Sequence, residues 1–257
     1  MKYNQNTLTI VVPIHDPFEV LEAFVQELLE SISVQSTMPD EVIISGAHKP
    51  YYLSVLLPAY NKKFPVKFLV NNSVSTSSNL NFVMQKSEST ITKILFHDDF
   101  FISKNAIKRI HSKFRKPSTI WSVETSKNFN NDSKKFEKKT TPRIASGLAD
   151  GINSVGSPSV IAIRTKNYLP FNEELKWLLD CEWYLRMFHH FGNPTVIRRP
   201  QIASRLHSGQ ATHWAKSLQD PESELVKEIH IQNNILKKFS FGSSETKCSC
   251  IGGVNEA

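Results

Sequence analysis

Two adjacent carboxylates, Asp98 and Asp99, stand directly after the apolar run TKILF at residues 92–96. Carboxylates this close repel each other unless a cation or hydrogen-bond donors compensate their charge. Mg²⁺ and Mn²⁺ prefer oxygen ligands and are commonly held by one or two carboxylates together with substrate phosphates. The pair therefore indicates either a divalent-metal site or a solvated turn whose aspartates precede the helix predicted over residues 103–115.

A third acid, Asp180, lies in LLDCEWYLR, within a segment that predicts a helix over residues 177–191. Glu182 follows two positions later, and residues two apart do not share a helix face, so at most one of the two acids points into a given cleft. Asp180 lies on the flank of the apolar stripe, one turn before Tyr184. Burial there would raise its pKa towards that of a general base, whereas an exposed acid would have no such role.

A histidine, His207, follows a strand predicted at residues 201–205. A histidine in this place can complete the coordination of a metal, bind a phosphate when protonated, or serve only the structure. His213 follows six positions later, which is not one of the short spacings of zinc sites, so zinc is not expected here.

The first hundred residues, which must position the acid pair, alternate short apolar runs with segments of helical period. This alternation predicts an α/β fold with a mostly parallel sheet covered by helices. The predicted strands are 7–13, 41–45, 66–70 and 92–96, and the predicted helices are 18–34, 51–60 and 77–86. Ligands of open α/β sheets bind beyond the carboxyl ends of the strands, where Asp98 and Asp99 fall.

The second half of the chain is less regular. Residues 127–139 carry five lysines against Asp132 and Glu137, and with the glycine-spaced stretch that follows they predict a mobile loop over 127–158. Further strands are predicted at 160–163, 195–197 and 201–205, a last helix at 225–239, and a frayed tail from residue 241.

The composition narrows the class of protein. The 257 residues contain 31 lysines and arginines against 24 acids, a net charge of +7 that suits a nucleotide, a phosphorylated lipid, an acidic membrane face or nucleic acid. Three cysteines (Cys181, Cys248 and Cys250) and no leader-like or membrane-spanning run predict a cytoplasmic protein, with peripheral membrane contact left open. The sequence has no P-loop, no dinucleotide-binding glycine fingerprint and no nucleophile elbow.

Four phrases, taken in order, resemble motifs of the family 2 glycosyltransferases. The segment from LTIVVPIHD to EVIISG is similar to the family's opening strand, helix and second strand, and SSNLNFVMQKS to its A-R-N-x-G helix. ILFHDDF takes the place of the D-x-D motif, and LLDCEWYLR that of the E-D motif. The resemblance covers roughly residues 8–207 and implies a GT-A fold: a Rossmann-like, mixed but mostly parallel sheet flanked by helices, with a C-terminal helical extension.

The resemblance implies a metal-dependent inverting transferase. It would move a sugar from a nucleoside-diphosphate sugar, with UDP expected, to a carbohydrate or lipid-linked acceptor in surface glycan synthesis. The implied GT-A domain is 1–215, with a nucleotide-sugar half at 1–100 and an acceptor half at 101–215 whose loop 127–158 closes as a lid. Residues 216–257 would form a C-terminal helix and flexible tail.

The resemblance also assigns roles to the acids and to the histidine. Asp99 would ligate Mn²⁺ or Mg²⁺ on the donor diphosphate, and His207 would supply a further ligand. Asp98 would face the ribose or share the metal shell. Asp180 would be the base that deprotonates the acceptor hydroxyl.

The remaining implied residues line the nucleotide pocket. Pro13, His15 and Asp16 fall on the family's first loop, and Asn79 matches the asparagine of the A-R-N-x-G helix. Ser45 stands in the turn where the family usually carries an acid. Here that turn, ISGA, has none.

Two other classes fit the residues. A nucleotidyltransferase on a similar α/β sheet would also need acids and a metal. A non-catalytic module could bind nucleic acid or an anionic membrane through the basic segment 104–116 and the lysines of 127–139.

Overall fold

The computed structural model describes residues 6–14, 21–72, 75–207 and 221–240, with side chains placed over 224–237 in the last range. His15, Asp16, His213, Cys248 and Cys250 lie outside the described residues. The strands are β1 (Leu8–Pro13), β2 (Glu41–Gly46), β3 (Val66–Val70), β4 (Ile91–Ile94), β5 (Phe100–Phe101), β6 (Trp121–Asn130), β7 (Lys135–Thr140), β8 (Ile161–Arg164) and β9 (Thr195–Leu206). The helices are α1 (Leu21–Ser33), α2 (Tyr51–Tyr60), α3 (Thr76–Gln85), α4 (Ala106–Phe114), α5 (Leu179–Phe191) and α6 (Pro221–Ser240).

The strands form one mixed sheet in the order β3-β2-β1-β4-β8-β6-β9-β5, with β7 paired to β6. Strands β3, β2, β1 and β4 run parallel to one another. Strand β8 is antiparallel to both β4 and β6, while β6 and β9 are parallel. The sheet and its flanking helices confirm the predicted α/β class.

The parallel half forms because its strands are buried on both faces. Strand β1 has no exposed residue, and its successive side chains point to opposite sides. Ile10 and Val12 join the core that contains α1, whereas Val11 joins the core that contains α3. Helix α1 presents its apolar residues to this sheet at three- and four-residue spacing.

The first part of the predicted loop over 127–158 is ordered as strands rather than as a loop. Residues 127–139 continue β6, turn, and return as β7, so they form a hairpin. The side-chain oxygen of Asn130 accepts hydrogen bonds from the amides of Asp132 and Ser133 and so closes the turn. Lysine and asparagine have low strand propensity, but pairing with β9 as far as Asn130–Leu206 supplies a partner strand, which the local sequence does not show.

The two strands predicted at 195–197 and 201–205 form a single strand, β9. Its pairing with β6 shifts register between Glu124 and Ser126, which absorbs the irregularity around Pro200. This strand ends at Leu206, so His207 follows it as predicted.

The C-terminal helix α6 packs on the start of α5. The carboxylate of Glu228 accepts hydrogen bonds from the amides of Lys176, Trp177 and Leu178. Gln232 donates to the carbonyls of Leu148 and Ala149. This helix is therefore part of the folded unit, while the domain boundaries at 100 and 215 stay predictions. None of the helices in the described ranges is long and apolar enough to cross a bilayer.

Candidate active site

The acid pair lies at the carboxyl edge of the parallel strands. Beyond β4 the chain turns at His97 and Asp98, and the ring nitrogen Nδ1 of His97 lies 3.3 Å from the carbonyl oxygen of Pro13, the last residue of β1. This edge is where an open α/β sheet binds its ligands. The predicted position of the acid pair is therefore the position observed.

Asp99 is buried, with 3% of its surface exposed. One carboxylate oxygen accepts a 2.9 Å hydrogen bond from the hydroxyl of Ser157, and the other accepts one of 2.9 Å from the amide of Arg205. Burial, followed by the negative charge of Asp98, raises the pKa of Asp99 to about 7, against hydrogen bonds from Ser159, Arg205 and Ser157 that lower it. These donors therefore offset only part of the rise in the pKa of Asp99 that burial and the charge of Asp98 cause.

The pKa of Asp98 is shifted in the opposite direction from that of Asp99. Its carboxylate lies 3.1 Å from Nε2 of His207. Burial disfavours its charged form, but the hydrogen bond from His207 and the charges of His97 and His207 outweigh it and hold the pKa of Asp98 below its ordinary value. The ring of Phe24 packs edge-on against His207 at a centroid distance of 5.1 Å. The structure therefore brings together the acid and the histidine that the sequence singled out separately.

Arg205 contacts both Asp98 and α1, and no role was assigned to this residue from the sequence. Its guanidinium carbon lies 4.3, 5.0 and 5.4 Å from the ring centroids of Phe24, Phe100 and Phe129, within cation–π range. Its Nε donates to the carbonyl oxygen of Asp98 at 2.8 Å, and it forms an ion pair with Glu27. The local signal that could have found it is its position two residues before His207, within the strand predicted at residues 201–205.

Asp180 lies in the first turn of α5 and is partly exposed. Its oxygens accept hydrogen bonds of 2.6 Å from the side-chain amide of Asn153 and 2.7 Å from the backbone amide of Cys181. Burial of the carboxyl group raises its pKa to about 6, against the hydrogen bonds from Cys181 and Asn153. Glu182 is fully buried and paired with Arg186 at 2.6 Å, so Asp180 is the member of this acid pair that solvent reaches.

The segment 153–159 connects the two acidic sites. Asn153 binds Asp180, and four residues later Ser157 binds Asp99. The hydroxyl of Tyr184 donates to the carbonyl of Gly156 at 2.9 Å and so fixes the segment on α5. Four residues span at most about 14 Å, which brings Asp180 and Asp99 within reach of one bound substrate. Sequence reasoning identified this glycine-spaced stretch but not its contacts.

Ser45 and Asn79 form a polar cluster between the ends of β1 and β2. The Ser45 hydroxyl donates to the side-chain oxygen of Asn79 at 2.7 Å. The Asn79 amide donates to the carbonyls of Ile14 and Ser45, each at 3.1 Å. Both side chains are buried, so the contacts observed here are ones that position the strand ends. Direct contact of Ser45, Asn79 or Pro13 with a nucleotide stays a prediction.

The acid pair fits a divalent cation held partly by substrate. Among the described residues no three histidine, cysteine, aspartate or glutamate side chains converge as a complete metal cage. Mg²⁺ and Mn²⁺ need only one or two protein ligands when phosphate oxygens and water supply the rest. The adjacent carboxyl groups of Asp98 and Asp99, with His207 against Asp98, match that incomplete type of site.

Comparisons with known proteins show a likeness in structure rather than in sequence. No family model matches the sequence, and no curated protein is significantly similar to it. The crystal structure of S. aureus TarS 1-349 in complex with UDP-GlcNAc superposes with a TM-score of 0.67 and 17% identity, over 88% of this chain and 66% of that one.

Two further TarS structures give the same result. The complex of TarS 1-349 with UDP has a TM-score of 0.61 at 16% identity, over 91% of this chain and 70% of that one. The full TarS structure has a TM-score of 0.59 at 18% identity, and this chain covers 44% of it. The chain spans 65% of the length of TarS 1-349 crystallised without a named ligand. The likeness confirms the GT-A-like fold.

Proposed function

We propose that this protein is a glycosyltransferase that takes its sugar from a UDP-sugar. The observation that carries the proposal is that two acidic sites, Asp98–Asp99 and Asp180, both contact the segment 153–159 in a GT-A-like fold. Support comes from TarS, which has the same fold and whose crystals hold UDP-GlcNAc and UDP.

Asp180 is proposed as the general base. Its carboxylate takes the proton from the acceptor hydroxyl, and the hydroxyl oxygen forms a bond to the anomeric carbon as the bond from that carbon to the diphosphate oxygen breaks. Attack from the face opposite the leaving UDP inverts the configuration at this carbon. With a pKa of about 6, Asp180 is ionised at neutral pH and remains a stronger base than an ordinary aspartate.

Asp99, His207 and Asp98 are the residues that would hold Mn²⁺ or Mg²⁺ together with the donor diphosphate. The cation, when bound, would neutralise the negative charge that develops on the leaving group. The chain's own part is to orient these side chains: Ser157 and the Arg205 amide fix Asp99, and Asp98 fixes His207.

The acceptor is proposed to approach along the β6–β7 hairpin. Asn131, in the turn between the two strands, accepts a 2.9 Å hydrogen bond from Arg205, which also binds the carbonyl oxygen of Asp98. Its five lysines favour an acceptor that carries phosphate or carboxylate groups. The finer assignments, a carbohydrate or lipid-linked acceptor, surface glycan synthesis and a cytoplasmic location, stay predictions.

A thermal-shift screen tests the donor class. UDP, GDP, CDP and their sugars are each added with Mn²⁺, with Mg²⁺ and with EDTA. A ligand that binds the native state alone stabilises it by about 2.7 kcal/mol at one hundred times Kd. We expect UDP compounds to raise the melting temperature in the presence of the cation. The absence of any nucleotide shift, with a steeply salt-dependent affinity for nucleic acid or anionic vesicles, would instead favour the basic binding module.

Product analysis tests the reaction. Glycosyl transfer releases free UDP, whereas nucleotidyl transfer releases pyrophosphate. Incubation of the protein with the UDP-sugar found in the screen, with and without an acceptor mixture, should release UDP and leave the level of pyrophosphate unchanged. Pyrophosphate as the main product would establish the nucleotidyltransferase alternative.

A further inference from the structure

A fully buried ion pair, Lys93–Glu124, lies behind the acid pair and has no part in the reaction described above. The ammonium nitrogen of Lys93, on β4, is 2.8 Å from Oε2 of Glu124, on β6, and both side chains are 0% exposed. Burial lowers the pKa of Lys93, and the negative charges of Glu124 and Asp99 oppose this effect. The pair therefore links β4, the strand that leads to the acid pair, with β6.

Stability alone does not account for the pair. The desolvation of two buried charges commonly outweighs their attraction, and apolar residues of the same volume are often neutral or stabilising replacements. The second oxygen of Glu124, Oε1, has no hydrogen-bond donor among the described residues, which adds to the cost. A chain selected only for stability would be expected to carry apolar residues here.

The contacts of Lys93 lead to the donor site. Its ammonium group also donates to the carbonyl oxygen of Ser159, in the turn that precedes β8. The Ser159 hydroxyl accepts a 2.8 Å hydrogen bond from the amide of Phe96 and helps to lower the pKa of Asp99. Two positions earlier, Ser157 donates to the same carboxylate. The Lys93 side chain thus fixes the turn from which Ser157 orients Asp99.

We propose that Lys93 and Glu124 form a positioning pair for the donor site. Lys93 holds the 157–159 turn in place through the carbonyl oxygen of Ser159, and Glu124 keeps Lys93 in this position. The pair thereby prepares the acids to receive the divalent cation and diphosphate of the donor. This inference rests on the proposed function of the acid pair.

The experiment separates positioning from folding. Lys93→Met, Glu124→Leu and the double variant are compared with the wild type for melting temperature and for the Kd of UDP with Mn²⁺ and with EDTA. Each single variant should melt at a lower temperature, because it leaves one buried charge unpaired. The double variant should melt at or above the wild-type temperature, yet bind UDP with Mn²⁺ about tenfold or more weakly, with its Kd in EDTA unchanged.

A matched control is Arg164→Met. Arg164 also donates to main-chain carbonyls, those of Thr119, Phe114 and Lys116, but it stands where β8 pairs with the opposite end of β4, at Ile91. This variant should lower the melting temperature and leave the Kd for UDP with Mn²⁺ unchanged. A change in both would show that general destabilisation weakens binding, and would overturn the positioning role.

The two proposals fail in different ways. A stable double variant that binds UDP and Mn²⁺ as tightly as the wild type overturns the positioning role and leaves the proposed function standing. A wild type that binds no nucleotide with either cation overturns the proposed function, and with it the role of the pair in donor binding.

Discussion

Asp99 is buried and Asp180 is partly exposed, yet both have raised pKa values and accept hydrogen bonds at each oxygen. They differ in their neighbours. Asp99 has a second acid, Asp98, directly beside it, and the charge of this neighbour adds to the effect of burial on its pKa. For Asp180, burial is the cause that raises the pKa. Adjacent carboxyl groups such as Asp98 and Asp99 suit the binding of a cation. Asp180, with a pKa of about 6, is ionised at neutral pH and suits the role of a base. A carboxylate next to a like charge and an isolated carboxylate therefore suit different steps of one reaction.

The two sites also differ in how they are supported. Asp99 is held by Ser157, from the segment 153–159, and by the backbone amide of Arg205 in β9. Asp180 is held by Asn153 in a loop and by its own helix, whose start is capped by Glu228 from α6. One segment thus contacts both acids, while β9 supports only Asp99 and α6 only the start of the helix that carries Asp180.

The largest expected effect is that of Asp180→Asn. Loss of the base should lower the transfer rate by about a thousandfold, within the 10²–10⁴ range of general-base catalysis. The Kd for UDP with Mn²⁺ should not change, because Asp180 acts on the acceptor. Initial rates and calorimetric titration measure the two quantities. The exposed Glu174→Gln is the control, and normal turnover in Asp180→Asn would remove Asp180 as the base.

The next largest effects are expected from substitutions of the two adjacent acids. Asp98→Asn and Asp99→Asn should each weaken UDP binding in Mn²⁺ by about 100-fold, since even substitutions outside the ligand shell cost 10–100-fold in metal affinity. Binding in EDTA should be nearly unaffected. Titrations of the two variants also show which acid is the stronger ligand. Equal affinity with and without the cation in both variants and the wild type would contradict the metal role.

A pH profile tests Asp180, and the Asp180→Asn variant separates its titration from that of Asp99. The rate should fall about tenfold for each pH unit below 6, because Asp180 becomes protonated. Its ordinary pKa is 3.8, so between about pH 4 and 6 the folded protein keeps a proton that the unfolded chain has released. The contribution of Asp180 to stability therefore decreases as pH rises through this window. Asp180→Asn should remove that part of the slope in denaturant unfolding, and an unchanged slope would show that its pKa is ordinary.

The smallest effect is expected from Glu228→Ala. Three amides at the start of α5 lose their acceptor, which should lower the free energy of unfolding by about 1–3 kcal/mol. A small displacement of Asp180 should lower the transfer rate a few-fold and leave UDP binding intact. Urea unfolding and initial rates measure both, with the exposed Glu224→Ala on the same helix as control. A loss of nucleotide binding would show that α6 also supports the donor side.

The helices and strands of the first hundred residues were predictable because their signals are local. Strand β3 and helix α2 have the predicted bounds. Strands β1 and β2 differ from prediction by one residue at one end, and α3 and β4 differ by one or two residues at both ends. The β6–β7 hairpin was missed because its strand partner, β9, lies more than sixty residues further along the chain. Strand formation there depends on a distant partner rather than on propensity.

The sequence by itself determined the order of strands and helices in the parallel half and the places of Asp98, Asp99, Asp180 and His207. Those places follow from apolar period and from strand ends, which are local properties of the chain. The tertiary structure alone decided that His207 pairs with Asp98, 109 positions away, that Ser157 and Arg205 hold Asp99, and that Lys93 stands behind them. Such contacts form between distant segments, because burial and hydrogen bonding act across the sheet and no local pattern records them.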